Sequence, residues 1–305
     1  MDKQWDVLGY GAVTVDDLVY VDRYPYPDMK VTVIDKRRQG GGLVGTALVA
    51  AARLGVRTAY AGILGDDDLS RYTLEELSHE GVDCTQVIHR PEARPIHSII
   101  IVDPSGQRSI LPSFVGVQWR SANEVPEALI AASRVLFIDH HGVEGSLRGM
   151  QIAHALGIPV VADIERELGQ QAEPLLPLVD HLIVSINFAR NKTGLDKPEE
   201  MALALVEGRT CAVVTAGEQG CWYVTREQSK RVVHQPAYRV QVVDTTGCGD
   251  VFHGAYAAML AQGEPIDQII RIASATAAMK ATQPGGRAGI PSRAAVTQFI
   301  RTQTV

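Results

Sequence analysis

The chain is poor in cysteine. It has four, Cys84, Cys211, Cys221 and Cys248, and no two are spaced as a CxxC pair. With no histidine cluster beside them, neither a zinc site nor a disulfide framework is expected, and free buried thiols are the plain reading. Long apolar runs are missing too, so no stretch is long enough to span a bilayer. The start, Met1 to Asp6, lacks the basic-then-apolar build of a secretory leader, and the expected location is the cytoplasm. Excess positive charge is absent. The formal net charge of −6 offers no attraction for nucleic acid or an anionic membrane. It leaves room for a local basic pocket around a small anion. Aromatic residues are scarce at 6%, whereas glycine is plentiful at 28 residues. Together these suit an α/β enzyme with many tight strand–helix turns.

The 305 residues are 46% hydrophobic, enough for a sizeable core. Trp5 to Val13 reads as a buried strand. Residues 19–21 and 31–34 read as short strands around the Pro-rich turn Tyr24-Pro25-Tyr26-Pro27-Asp28. A small-residue helix is expected over 46–54, a strand over 56–63 and an amphipathic helix over 69–79. Residues 96–102 and 107–111 read as a hairpin around Pro104-Ser105-Gly106. Strands at 135–138, 159–162, 182–185 and 211–215 then alternate with helices at 145–156 and 199–206, the rhythm of a parallel sheet covered on both faces. A hairpin region follows at 221–235, and the end is helical over 249–262, 265–281 and 292–302. The expected architecture is α/β: a doubly wound, mostly parallel sheet with helices on both faces. It carries a small β-sheet lid built from excursions at about 14–39 and 95–115, all within one domain over 1–305. Neither excursion holds enough apolar residues for its own core, so the lid must lean on the main domain or on another copy of itself, and a homodimer through the lid is expected.

The segment that carries chemistry is Val243-Asp244-Thr245-Thr246-Gly247-Cys248-Gly249-Asp250-Val251-Phe252-His253-Gly254-Ala255. It reads as a strand leading through a glycine turn into a small-residue helix. Gly247 and Gly249 let the backbone turn sharply and present successive N–H groups at a helix N-terminus, where unpaired donors and the helix dipole favour an anion. Phosphoryl transfer needs such a feature to neutralise charge on the moving group. Asp250, in the first helical turn, is placed either to take a proton from an attacking hydroxyl or to cap the helix.

The full string resembles the DTxGAGDxFxxG signature of ribokinase-like, PfkB-type carbohydrate kinases, with Cys248 in place of the usual Ala. The resemblance covers nearly the whole chain and implies an ATP-dependent phosphotransferase acting on a sugar hydroxyl. Asp250 is then the catalytic base, and the N–H groups of Gly247, Cys248 and Gly249 stabilise the transferring group. Gly40-Gly41-Gly42 looks like the first family signature, so Gly41 and Gly42 are expected against the sugar, and Asp16 is expected either to hold its hydroxyls or to be a turn residue beside Asp17. Gly65-Asp66-Asp67-Asp68 resembles the GxD turn, its acids reading as turn and helix-cap residues. Thr215-Ala216-Gly217-Glu218-Gln219-Gly220 matches the TxGxxG turn. Thr215, Gly217, Gly220 and Thr246 are thereby expected to bind the nucleotide. ATP is expected to enter with Mg²⁺, with no protein ligand for the metal assigned, and a monovalent cation site is implied near Asp244 and the loop 284–288.

The pattern also departs from the family. Gly45 stands where Asn is common, which either loses a contact to the sugar or makes room for a bulkier substituent. The NxxE motif fails, with Ser185 and Phe188 at its Asn and Glu positions. These departures, the signature segment and Pro284 to Pro291 resemble the branch containing 6-deoxy-6-sulfofructose kinase. There Lys30 aligns with a sulfonate-binding Lys, but Pro112 and His140 fall where an Asn and an Arg are expected. His140 and His141 follow a strand end, where they either touch the substrate or sit in a solvated loop. Arg287 either steadies a phosphate or braces its glycine-rich loop, and His253 reads as a packed helix residue. Other readings are a nucleoside kinase of the same fold, with Tyr20, Tyr24 and Tyr26 as candidates to clamp a base, and a regulator with a degenerate site. A dinucleotide oxidoreductase is disfavoured because Gly9-Tyr10-Gly11 is followed by Thr14 instead of completing GxGxxG.

Overall fold

The computed structural model describes residues 3–105, 107–165, 173–228 and 231–303. The first excursion from the main sheet comes early. Strand β1 (Trp5–Tyr10) is followed by β2 (Thr14–Val21) and β3 (Val33–Gly41), then by helix α1 (Leu43–Arg53). Strands β4 (Thr58–Tyr60) and β5 (Ile63–Leu64), helix α2 (Asp68–His79), and strands β6 (Val82–Asp83) and β7 (Ile88–His89) come next. The second excursion is the hairpin β8 (Ile96–Val102) and β9 (Arg108–Ser113). The regular α/β part follows: α3 (Glu127–Ala131), β10 (Ser133–Asp139), α4 (Val143–Ala155), β11 (Val160–Asp163), β12 (His181–Ser185), α5 (Ile186–Thr193), α6 (Pro198–Leu205) and β13 (Cys211–Thr215). Strands β14 (Cys221–Thr225) and β15 (Val233–Gln235) precede the helices α7 (Cys248–Ala261), α8 (Ile266–Lys280) and α9 (Arg293–Thr302).

The large sheet has the order β15-β14-β13-β12-β11-β10-β1-β4-β6. It is parallel except for the antiparallel hairpin strands β14 and β15 at one edge. Its inner strands are apolar on both sides because both faces are covered. Val7, Phe137, Val161, Ile183 and Val213 point into one core with α1, α7 and α8. Their chain neighbours Leu8, Leu136, Ala162, Leu182 and Val214 point into a second core with α3, α4, α5 and α6. Chain order reverses between β10 and β1, the place where open α/β sheets bind ligands at strand C-termini. Helix α7 is the central helix, buried from Val251 to Met259. It lies close on α1, since a Cβ at Gly254 would come 2.1 Å from the carbonyl oxygen of Ala47.

The small sheet has the order β3-β2-β8-β9. Strand β3 runs well past the expected end at Ile34. Its middle reads Asp35-Lys36-Arg37-Arg38 and is exposed, because an edge strand needs no apolar face to keep its ladder. The expected strand 56–63 is two short strands. Helix α5 was not foreseen, although Ser185 caps its start by accepting from the Phe188 N–H (3.2 Å) and Gly194 ends it in the left-handed region.

Candidate active site

No strand leads into the glycine turn, contrary to expectation. Residues 240–244 are irregular. The N–H groups of Val243 and Asp244 donate to the carbonyl of Ala281 at the end of α8, so a helix terminus, not a sheet neighbour, holds the segment. Gly247 caps α7 with φ 74°, and a Cβ there would lie 2.8 Å from the carbonyl of Gly286. The Cys248 N–H closes the turn by donating to Thr245 (3.2 Å). The N–H groups of Gly247, Gly249 and Asp250 are thus the ones that helix geometry leaves for an anion. Burial raises the Cys248 thiol pKa, so the cysteine is a small packed residue and not a thiolate.

Asp250 does not stand alone. Carboxylate oxygens of Asp163, at the end of β11, of Glu165 and of Asp250 lie within 4.8 Å of one another. Asp163 is almost fully buried, and its Oδ2 accepts no hydrogen bond among the described residues. His253 Nδ1 lies 3.3 Å from it and 2.8 Å from the carbonyl of Gly249, while Nε2 lies 3.0 Å from the carbonyl of Ile183. His253 is therefore packed, tying α7 to the ends of β11 and β12. Burial, then mutual repulsion, pushes Asp163 and Asp250 well above the usual carboxylate range. A buried acid group of this kind calls for a proton or a cation. Three carboxylates with one uncommitted buried oxygen suit a hard divalent ion such as Mg²⁺. The sequence reading missed Asp163 and Glu165, though acids at the C-terminal end of a buried parallel strand are a detectable signal. At the failed NxxE positions, Ser185 caps α5 and Phe188 is core.

On the other side, Asp16 lies within β2 and not in a turn. It accepts from Thr14 Oγ1 (3.0 Å) and is bonded by Ser98, and burial raises its pKa. The strand's two-residue period sends Asp17 to the opposite face, where Arg38 (2.8 Å, bidentate) and His97 (2.9 Å) hold its carboxyl far below the ordinary range. Gly41 passes so close to Asp16 that a Cβ would lie 2.5 Å from its Oδ2. Gly42 has φ 87°, and its Cβ would meet the carbonyl of Ala12 at 2.5 Å. Arg287 is buried, donating to the Gly41 carbonyl (2.7 Å) and to Glu76 (2.9 Å). It braces the glycine segment while its charge bears on both Asp16 and Asp250.

The matches to known proteins decide the family. The profile described as pfkB family carbohydrate kinase matches residues 6–293. The chain belongs to the pfkB family. It is 27% identical to the ribokinase of Haemophilus influenzae over 98% of this chain and 99% of that protein. A crystal structure from Agrobacterium tumefaciens, provisionally named a ribokinase, is 30% identical with TM-score 0.88, covering 98% of each chain. The Arabidopsis thaliana ribokinase, solved with ribose and ATP, shares the fold at 20% identity and TM-score 0.85, covering 99% of each. Other relatives are named fructokinase and deoxyribokinase. This pfkB member is an ATP-dependent kinase of a sugar or nucleoside, a phosphotransferase with an alcohol acceptor. None of its described helices is long and apolar enough to cross a membrane.

The remaining expected residues of this pfkB kinase fall as follows. Thr215 ends β13 and donates to the carbonyl of Val184 (3.3 Å). Gly217 and Gly220 both have positive φ in the turn to β14. Thr246 donates from N (2.8 Å) and Oγ1 (2.6 Å) to Asp244, whose other oxygen accepts from Gly285 N (2.8 Å). Burial opposes ionisation of Asp244, but these bonds win and lower its pKa to about 2. Arg108 reaches from β9 to Asp244 (3.2 Å) and to Thr246 Oγ1. His140 follows β10, its ring 4.3 Å from that of His141, which Trp119 and Phe114 flank. Asp139 joins the ends of β10 and β1 by accepting from the N–H groups of His141 and Ala12 (both 2.7 Å). Lys30 is exposed in the loop between β2 and β3. Asp67 caps α2, accepting from Ser70 N (2.9 Å).

Proposed function

We propose that the protein transfers the γ-phosphoryl group of ATP to a hydroxyl of a sugar, sugar acid or anionic sugar derivative, with Asp250 as general base. The observation that carries this reading is Asp250 in the first turn of α7, beside the Gly247-Cys248-Gly249 anion turn and within an acid cluster. Its raised pKa makes it a stronger proton acceptor than an exposed aspartate while still weaker than the alkoxide it helps form. Asp16, with Gly41 and Gly42 against it, orients the sugar hydroxyls. The N–H groups at the start of α7 meet the charge on the moving phosphoryl group. Asp163 and Glu165 would hold Mg²⁺, since the NxxE positions carry Ser185 and Phe188 and offer no carboxylate. Bound there, the ion would neutralise charge on the nucleotide phosphates. The small sheet acts as a lid over the acceptor, and Arg108 reaches from it to the phosphate turn. Thr215, Gly217, Gly220 and Thr246 line the nucleotide side in this reading.

The test is Asp250→Asn. The amide keeps the shape but accepts no proton, so turnover should drop by about 10²–10⁴-fold, while calorimetry should still show ATP binding. A folded variant with near-normal turnover refutes the base assignment. A narrower reading takes the acceptor to be 6-deoxy-6-sulfofructose, with Lys30 reading the sulfonate. Its support is the branch-like segments 242–255 and 284–291 and the position of Lys30 on the lid.

A further inference from the structure

Family resemblance implies a monovalent cation beside Asp244 and the loop 284–288. Such an ion is held by carbonyl oxygens and steadies the turn that carries the anion-binding N–H groups. The residues present do not fit it. Lys280, the last residue of α8, is fully buried, and its Nζ donates to the main-chain carbonyl of Asp244 at 2.9 Å. That carbonyl lies in the segment where the cation is implied, and an ammonium already holds it.

The surroundings suit a fixed positive charge. The C-terminus of α8 concentrates unpaired carbonyls and the negative end of its dipole. The Asp244 carboxylate is itself fixed, accepting from the N–H groups of Thr246 and Gly285. Main-chain bonds from Val243 and Asp244 to Ala281 hold the same segment on the helix end. Burial lowers the Lys280 pKa, and the neighbouring Cys248, Asp244 and Asp250 work against that by favouring its charged form. A lysine ammonium is a compact point charge that donates to carbonyl oxygens, the same job a weakly hydrated monovalent ion does.

We propose that Lys280 is a tethered cation that replaces the monovalent ion in this kinase, setting the phosphate turn without potassium or ammonium. The inference rests on the kinase reading for its effect on turnover, but not for its effect on cation binding. Both are measured on the full chain with MgATP and an accepted sugar. Potassium chloride, ammonium chloride, methylammonium chloride and tetramethylammonium chloride are compared at constant ionic strength. Wild type should show the same kcat/KM in all four, and potassium should give no shift in Tm beyond that of tetramethylammonium. Lys280→Ala should lose about tenfold or more in tetramethylammonium, equivalent to about 1.4 kcal/mol, and recover in potassium, ammonium or methylammonium. The same ions should raise its Tm. Lys280→Arg should keep a cation and stay indifferent to the salt. Potassium activation of wild type overturns the proposal, as does a Lys280→Ala that is unaffected or that no cation rescues. Should Lys280→Ala not fold, the wild-type salt profile and Lys280→Arg decide. A chain that phosphorylates nothing in any salt sinks the kinase reading alone, and the Tm series still tests Lys280.

Discussion

Arg287 occupies the space that Gly45 leaves. A Cβ at position 45 would lie 2.6 Å from Arg287 Nη2. The guanidinium cannot swing aside cheaply, because Gly41, Glu76 and Thr46 all hold it. The missing asparagine therefore makes room for a buried arginine of the chain itself. Gly45→Asn, which restores the residue common in the family, is expected to evict that guanidinium and cost about 2–4 kcal/mol in stability. Chemical denaturation checks it, and a variant as stable as wild type would show that Arg287 moves freely.

Asp163 and Asp250 carry pKa values raised above those of the unfolded chain. A carboxyl shifted this way contributes stability that is full below its unfolded pKa and lost as pH rises through its folded pKa. Without metal, Asp163→Asn should therefore gain Tm over wild type, and the gain should grow as pH rises above the ordinary aspartate range. His181, which burial lowers to about 4, slopes the other way, but it is present in both proteins and cancels in the difference. Magnesium should raise the Tm of wild type more than that of the variant. A difference that is flat with pH, or equal magnesium effects, would remove Asp163 from the metal-binding group.

The small sheet leaves apolar side chains in solvent. Ile99 and Leu111 are register partners on β8 and β9, each about half exposed, and Val33, Ile34 and Phe114 are exposed as well. Pairing of two such lids would cover them. Sedimentation should give a dimer for wild type and a monomer for the double variant Ile99→Lys, Leu111→Lys. A wild type that stays monomeric at high concentration would end the idea.

Lys30 sits in a lid loop rich in Tyr and Pro, exposed in this structure. If closure brings it to an anionic acceptor, a partly dry pocket strengthens its pull. Lys30→Ala should then lower kcat/KM by about tenfold or more for a ketose 6-phosphate or 6-sulfonate, and leave the neutral ketose nearly unchanged. An equal effect on all three, or a wild-type preference for the neutral sugar, makes Lys30 a surface residue.

Much of this protein was legible from local pattern. Apolar strands alternating with helices foretold the parallel sheet, and Pro104 and Ser105 marked the hairpin at the lid. The spacing from Asp244 to Ala255 placed an aspartate in the first turn of a helix opened by glycines. These depend on neighbours a few residues apart, so periodicity and turn chemistry suffice. The length of strand β3 and the whole of helix α5 escaped because a charged edge strand and a short capped helix carry weak apolar patterns. What convergence produced was decided only by tertiary structure. Asp163 meets Asp250 because strand order sets α7 over the ends of β11 and β12. Arg287 fills the place beside Gly45 from 242 residues along the chain, and Lys280 reaches Asp244 because α8 ends against the phosphate turn. Each of these contacts is fixed by sheet order and helix crossovers, which no local spacing encodes.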